Sequence, residues 1–290
     1  MSFDGVFTHS MVRELNDQLS TGRISKIHQP YEHEIVLVIR AQGKNQRLLL
    51  SAHPSYARIQ LTEIAYTNPD TPPNFVMMLR KHLDGAILED IHQIENDRVV
   101  HFTFSKRDEL GDLQNIVLIV ELMGRHSTIV LLNKQTGKIL DAIKHVGHSQ
   151  NTYRSLLPGS DYIEPPKQTQ LNPFHVTKEQ VFTILSTAET LDGRYLQQNF
   201  QGLGRDTAEE LAYRIGKRPN EKMVVWADFW ETVQSELTPT LGLKNKKEFF
   251  APLEFETFEE STAYDSLSAL LDAFYGEKAE KDRVKQLGND

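Results

Sequence analysis

The sequence predicts an α+β protein: an antiparallel, β-rich N-terminal domain, then a helical domain, then the start of a long C-terminal helix. Three observations predict it. Short runs rich in Val, Ile and Leu recur between residues 24 and 143, broken by Gly- and Asn-containing turns. Proline and glycine then collect in Leu157-Pro158-Gly159 and Glu164-Pro165-Pro166, the composition of a domain boundary. From about Lys178 the apolar residues change to helical spacing.

Element by element, Val6, Phe7, Met11, Leu15 and Leu19 share one face of a helix over 6–20, ended by Thr21-Gly22. Strands follow at 24–29, 34–40 and 46–51, with Ala41-Gln42-Gly43-Lys44-Asn45 as a hairpin connection. Pro72-Pro73 forbids helix up to Asn74, and 74–83 is helical. Further strands are expected at 86–94, 98–105 and 115–120, and a short pair at 128–132 and 139–143 around Asn133-Lys134-Gln135-Thr136-Gly137. Helices occupy about 178–236. Residues 246–258 pattern as a strand that could return to the first domain, and Leu267, Leu270, Leu271 and Phe274 open a last helix that the chain end interrupts. The sequence is therefore expected to be a fragment, with domains at 1–170, 171–240 and 241–290.

Composition narrows the function classes. Hydrophobic residues make up 39% and charged residues 25%, which suits a folded globular chain. With no cysteine, disulfides, thiolate metal sites and cysteine nucleophiles are excluded. No apolar run reaches membrane-spanning length and the N-terminus lacks a signal-peptide pattern, so membrane insertion is not expected and the cytoplasm is. The net charge of -8 opposes a polyanionic partner, but its distribution matters more than its sum. Residues 221–290 carry 8 Lys/Arg against 15 Asp/Glu, whereas the first 60 carry 7 against 5. A basic face is compatible with that distribution.

Enzyme motifs are missing. The chain has no G-x-x-x-x-G-K-[ST], G-x-S-x-G or H-E-x-x-H, so no cofactor, catalytic residue or metal is expected. His145 and His148 lack an evident carboxylate partner in sequence. The sharpest local signal is Phe200-Gln201-Gly202-Leu203-Gly204-Arg205, which resembles the hairpin of helix-hairpin-helix proteins. Gly202 and Gly204 would permit a tight turn and leave N–H groups uncovered at a helix start, where a nucleic-acid backbone phosphate could sit beside Arg205. A packing turn is the plainer alternative. Arg23 and Lys26 in Gly22–Pro30, and Arg80 and Lys81 beside His82, supply further cations, each equally at home on a solvated surface. Asp97 and Arg98 lie in a turn between strands. Arg125, His126 and Ser127 offer guanidinium, imidazole and hydroxyl in succession, a trio suited to phosphate or a ribose hydroxyl.

In order along the chain, MSFDG at 1–5, GRISKIHQP at 22–30, NQRLLLSAHPSYARI at 45–59 and PPNFVMMLRKHLDG at 72–85 carry a resemblance. DR at 97–98, ELMGRHS at 121–127, YRSLLPGSDY at 153–162 and DSLSALLDAFYGEKAEKDRVKQ at 265–286 extend it over essentially the whole chain. Together they resemble the NFACT family. The resemblance implies an N-terminal domain shaped like that of formamidopyrimidine-type DNA glycosylases, then a helix-hairpin-helix domain. Ser2 and Phe3 stand where those glycosylases have their proline nucleophile and acid, so base excision is not expected. The family implies binding to obstructed large ribosomal subunits carrying peptidyl-tRNA. It also implies recruitment of alanyl-tRNA for template-free C-terminal alanine tailing, with peptide transfer left to the ribosome. In the family the Asp-Arg pair serves the tRNA-dependent function, which falls on Asp97 and Arg98. A coiled coil and a further domain are expected beyond Asp290. The family's other description, as fibronectin- or fibrinogen-binding proteins, implies a second reading: an adhesin displayed at the cell surface without a signal peptide.

Overall fold

The computed structural model describes residues 2–289, with side chains described up to Ala279 apart from Glu277. The chain forms two compact units and passes between them four times. One unit holds Val12–Ile94 and Val99–Pro166; the other holds the residues up to Met11, Glu95–Arg98 and everything from Lys167 on. The sequence pattern placed boundaries near residues 170 and 240. In the structure an N-terminal segment and one turn are grouped with the helical part, a long-range membership that periodicity does not report.

In the first of these units, nine strands form one antiparallel sheet. They are β1 (Arg23–Tyr31), β2 (Glu34–Ala41), β3 (Lys44–Ser51), β4 (Arg58–Leu61), β5 (Ile87–Gln93), β6 (Val99–Arg107), β7 (Leu113–Glu121), β8 (Thr128–Asn133) and β9 (Ile139–Ala142), in the order β4-β3-β2-β1-β5-β6-β7-β8-β9. Connections are short because most strands pair with their sequence neighbours; the exception is β4 to β5, which lie apart in the sheet and are joined through residues 62–86. At the β2–β3 hairpin Ala41 pairs with Lys44, and Gln42 and Gly43 both adopt positive φ (53° and 75°), the mirror-image turn that suits strand twist. The register of β1 shifts between Ile24 and Lys26, so Ser25 and Lys26 are both exposed instead of alternating. α2 (Asn74–Leu83) buries Phe75, Val76, Leu79 and Leu83 and leaves Arg80, Lys81 and His82 in its last turn, where cations suit the helix dipole.

α1 (Gly5–Leu19) begins in the other unit and crosses out of it after Met11. That unit also contains α3 (Lys178–Thr187), α4 (Gly193–Asn199), α5 (Arg205–Lys217), α6 (Lys222–Ser235) and α7 (Leu267–Asn289). Its core gathers Val6, Leu196, Phe200, Leu211, Phe229 and Val233 around an aromatic group in which Phe200, Trp226 and Trp230 meet at 4.4 and 5.5 Å between ring centroids. α3 begins with a reciprocal cap between Thr177 and Gln180.

The strand expected over 246–258 is a larger motif. β10 (Thr240–Lys244), β11 (Lys247–Ala251) and β12 (Glu260–Ala263) make their own three-stranded sheet, so nothing in this segment returns to the nine-stranded one. The β10–β11 turn at Asn245-Lys246 takes positive φ (50° and 64°) without a glycine, and so carries little of the usual hairpin signature.

Candidate nucleic-acid interface

Asp4 organises one end of the helical unit. Its buried carboxylate accepts the Phe7 N–H at 2.8 Å through Oδ1, capping α1. Oδ2 accepts the Gly204 N–H at 2.8 Å and the Thr207 hydroxyl at 2.7 Å. Gly204 is the N-cap of α5 and has no side chain of its own, so one carboxyl group caps α1 and ties down the start of α5. Burial pushes the Asp4 carboxyl above its ordinary value of 3.8, opposed by the hydrogen bonds it accepts.

This arrangement bears on one of the N–H groups expected to be uncovered at the hairpin, that of Gly204. The Gly204 N–H is already donated to an internal anion, and a phosphate there would meet the Asp4 carboxylate. Arg205 is likewise engaged. Its Nε lies 3.0 Å from Glu209 Oε1, and Lys244 approaches the other oxygen of that carboxylate at 3.4 Å.

Asp97 and Arg98 meet the same hairpin. Together with Asp4, Gly5, Gln168, Gln197 and residues 202–205 they line a cavity of about 330 Å³. Both are half-buried, and Asp97 Oδ1 accepts the Arg98 N–H at 2.7 Å. The Gln197 amide is oriented by donation to Leu203 O at 3.1 Å. The lining therefore holds two carboxyl groups, of which Asp4 is used internally, with two guanidinium groups and two carboxamides, a set that can pair with a phosphate and with the donor and acceptor pattern of a nucleobase. Sequence reasoning singled out Asp97, Arg98, Gly202, Gly204 and Arg205, and the structure brings all five to this cavity. It missed Asp4, Gln168 and Gln197. Asp4 could have been found from its place one residue before a helix start.

The remaining expected residues lie in the sheet-containing unit, in two further groups. Arg23 and Lys26 are exposed on β1, and Arg23 donates to Gly85 O at 2.9 Å. Arg80 on α2 reaches Ile27 O at 2.9 Å, and Lys81 is exposed beside it. Partial burial, and after it the charges of Arg80 and Lys26, push the His28 imidazole below its usual value.

The other group is the turn Gly124–His126. Arg125 and His126 are exposed, with Arg125 Nε 3.3 Å from His126 Nε2. Ser127 departs from expectation. It is buried, its hydroxyl donates to Gly124 O at 2.6 Å and accepts the Met123 N–H at 2.9 Å, so it holds the turn instead of facing a ligand. These three residues border a cavity of about 520 Å³ whose wall adds Lys144, Tyr153 and Arg154. Lys144 donates to Ser127 O and Ala52 O at 3.1 and 3.3 Å, and burial lowers its ammonium from the ordinary lysine value. Behind the turn, fully buried Glu121 receives both guanidinium arms of Arg154, one at 2.9 Å, and the Tyr162 hydroxyl at 2.7 Å.

His145, which had no evident carboxylate partner in sequence, pairs with Asp141 at 2.7 Å. Among the described residues no group of three or more His, Asp or Glu could hold a metal ion, and no helix is long and apolar enough to cross a membrane. Phe3 is a core residue, packed between Phe7 and Phe250 at centroid distances of 4.9 and 6.4 Å.

A β-rich unit combined with a helical unit whose glycine hairpin meets an Asp-Arg turn defines a class, and residues 4–290 match the family model of NFACT N-terminal and middle domains. The chain belongs to the NFACT family. It is 50% identical over 293 residues to a Streptococcus suis protein named Rqc2 homolog RqcH, covering 100% of this chain and 51% of that protein. A Bacillus subtilis protein of the same name is 43% identical, again over 100% of this chain and 51% of the relative. The chain thus spans about half the length of the curated relatives it matches. Among solved structures, the N-terminal part of the fibronectin/fibrinogen-binding protein from Streptococcus suis superimposes with a TM-score of 0.87 at 48% identity, covering 95% of this chain and 100% of that one.

Proposed function

We propose that this chain is the RNA-gripping part of a ribosome quality control factor. In this reading the whole protein binds obstructed large subunits carrying peptidyl-tRNA and recruits alanyl-tRNA for template-free C-terminal alanine tailing. The protein positions an aminoacyl-tRNA, and the ribosome performs peptide transfer. The observation that carries the reading is the single cavity where Asp97 and Arg98 meet the Gly202–Arg205 hairpin. Arg98 and Arg205 supply donors for phosphate, while Asp97, Gln168 and Gln197 supply the mixed polar edge that a base can pair with. The cations at Arg23, Lys26, Arg80 and Lys81, and at Arg125 and His126, provide further backbone contacts that carry no sequence information. Names of relatives support the reading: the two proteins with which this chain shares 50% and 43% identity are called Rqc2 homologs.

The test is to replace Asp97 or Arg98 by alanine in the full-length protein and read both tailing and co-purified RNA. Loss of alanine tails and of enriched alanine tRNA, with the fold intact, is the expected result. Normal tails from both variants would refute the assignment.

A second reading rests on a separate observation. Similar solved structures from Streptococcus suis and Streptococcus pneumoniae are described as parts of fibronectin-binding proteins. In that reading the chain binds fibronectin or fibrinogen at the cell surface. Co-purification without RNA, together with saturable binding to immobilised fibronectin that is unaffected by Arg98→Ala, is its signature.

A further inference from the structure

The turn that carries Asp97 and Arg98 is held from one side by the residues just ahead of the hairpin glycines. Asn96 is completely buried and Gln201 nearly so, at 0% and 2% exposure. The Asn96 N–H donates to Gln201 Oε1 at 3.1 Å, and Asn96 Nδ2 donates to the Gln201 carbonyl at 2.8 Å. Gln201 Nε2 then donates to Glu95 Oε2 at 3.2 Å. Main chain and side chain of one glutamine thus grip two successive residues immediately before Asp97.

The backbones also approach more closely than side chains would allow. A Cβ on Gly5 would lie 1.9 Å from Asn96 O, and a Cβ on Gly202, whose φ is +80°, would lie 2.0 Å from the same atom. The Gly5 N–H donates to Gly202 O at 3.0 Å, and the preceding residue, Asp4, holds Gly204 and Thr207. Glu95 takes φ +51°, a strained setting for a non-glycine residue that persists only where its surroundings fix it.

We infer that Asn96 and Gln201 are positioning residues for Asp97 and Arg98, and that the glycine hairpin serves here as the socket for that turn and not as a phosphate cradle. The inference rests on the proposed role of Asp97 and Arg98 in binding tRNA. A guanidinium and a carboxylate read a partner only when held within a fraction of an ångström of the productive geometry. Through its two side-chain and one main-chain contacts, Gln201 supplies that constraint without lining the cavity. The engagement of the Gly204 N–H by Asp4 takes one of the donors that a phosphate cradle would use and sets a carboxyl group against that end of the hairpin.

The test uses the 290-residue chain with Gln201→Ala, Asn96→Ala, Arg98→Ala and, as a control for stability alone, Leu211→Ala. Amide hydrogen exchange at residues 95–98 reports whether the turn is released, and filter binding of total bacterial tRNA reports affinity. Gln201→Ala is expected to raise exchange of the turn and weaken tRNA binding about tenfold, the size of one charge-assisted contact. Leu211→Ala should lower the melting temperature at least as much while leaving the turn protected and the affinity intact. Unchanged turn exchange in Gln201→Ala and Asn96→Ala overturns the inference, as does a tRNA affinity that Gln201→Ala leaves intact while Arg98→Ala lowers it. If the turn is released but Arg98→Ala binds tRNA as the parent does, the positioning stands and the tRNA reading of Asp97 and Arg98 fails.

Discussion

At the scale of single residues, Asp4 has the largest consequence for its size. A carboxylate that accepts from Phe7, Gly204 and Thr207 cannot be replaced by its amide without turning an NH2 group toward one of those donors. Asp4→Asn should therefore cost about 1–3 kcal/mol in urea unfolding, the cost of a buried donor left without its acceptor. Asp4→Ser separates the cap of α1 from the tie to α5. Serine caps α1 well but is too short to keep Gly204 and Thr207, so it should recover part of the loss. Full recovery would mean that Asp4 serves α1 alone. Ser127 makes a parallel point. A hydroxyl directly after exposed Arg125 and His126 looks ligand-facing in sequence, yet it is bonded to Met123 N and Gly124 O. Ser127→Ala is accordingly a stability variant and should leave RNA affinity unchanged in the folded protein.

At the scale of elements, the Glu121–Arg154–Tyr162 group joins the end of β7 to the segment after β9. It uses a planar guanidinium against a carboxylate with no exposure to water. Removing one partner strands the other charge. Glu121→Gln or Arg154→Met should destabilise the sheet-containing unit by about 3–5 kcal/mol, and Arg154→Lys should rescue little because an ammonium cannot make the paired contact. A thermal shift near zero for Arg154→Lys would show that geometry does not matter at this site. Two motifs of the family resemblance, ELMGRHS and YRSLLPGSDY, are thus bound to each other through Glu121, Arg154 and Tyr162. That link was not legible from either motif. The elements themselves were largely legible: α2 and the β2–β3 hairpin followed from Pro72-Pro73 and Gln42-Gly43. β10 and β12 were missed because each is short and interrupted by glycine or exposed throughout, so alternation had too few residues to register.

At the scale of the molecule, the site was legible in its parts and hidden in its assembly. Asp97-Arg98 and the glycine hairpin each stood out, but the contact between Asn96 and Gln201 closes over a separation of 105 residues, which no local pattern encodes. Titration gives a further whole-unit property. His28, His33, His82 and His101, all in the sheet-containing unit, are pushed below the ordinary histidine value, first of all by burial. A depressed base takes up fewer protons folded than unfolded. Its contribution to stability is complete above about pH 6.5 and is lost as pH falls through the lower folded values. Unfolding midpoints measured from pH 7.5 to 5 should decline, and His101→Phe, which keeps a buried ring without a titrating nitrogen, should flatten that decline. An unchanged slope would assign the acid sensitivity elsewhere.

The net charge of -8 makes salt dependence the sharpest whole-molecule test of RNA binding. If the cations at β1, α2, the Gly124–His126 turn and Arg98 contact phosphates, log affinity for tRNA must fall linearly with log salt. Each phosphate contact adds about 0.7–0.9 to the slope through released counterions, whatever the sign of the total charge. Asp97 and Arg98 then separate. Arg98→Ala removes a cation and should lower the slope by about 1, whereas Asp97→Ala removes an acceptor and should weaken binding with the slope unchanged. Equal slopes for parent and Arg98→Ala would mean that Arg98 reads a base edge or acts only within the protein, and would move the phosphate contacts to Arg23, Lys26, Arg80 and Arg125. A slope near zero in every variant would leave no electrostatic footprint of RNA on this chain, and the adhesin reading would then be the one to pursue.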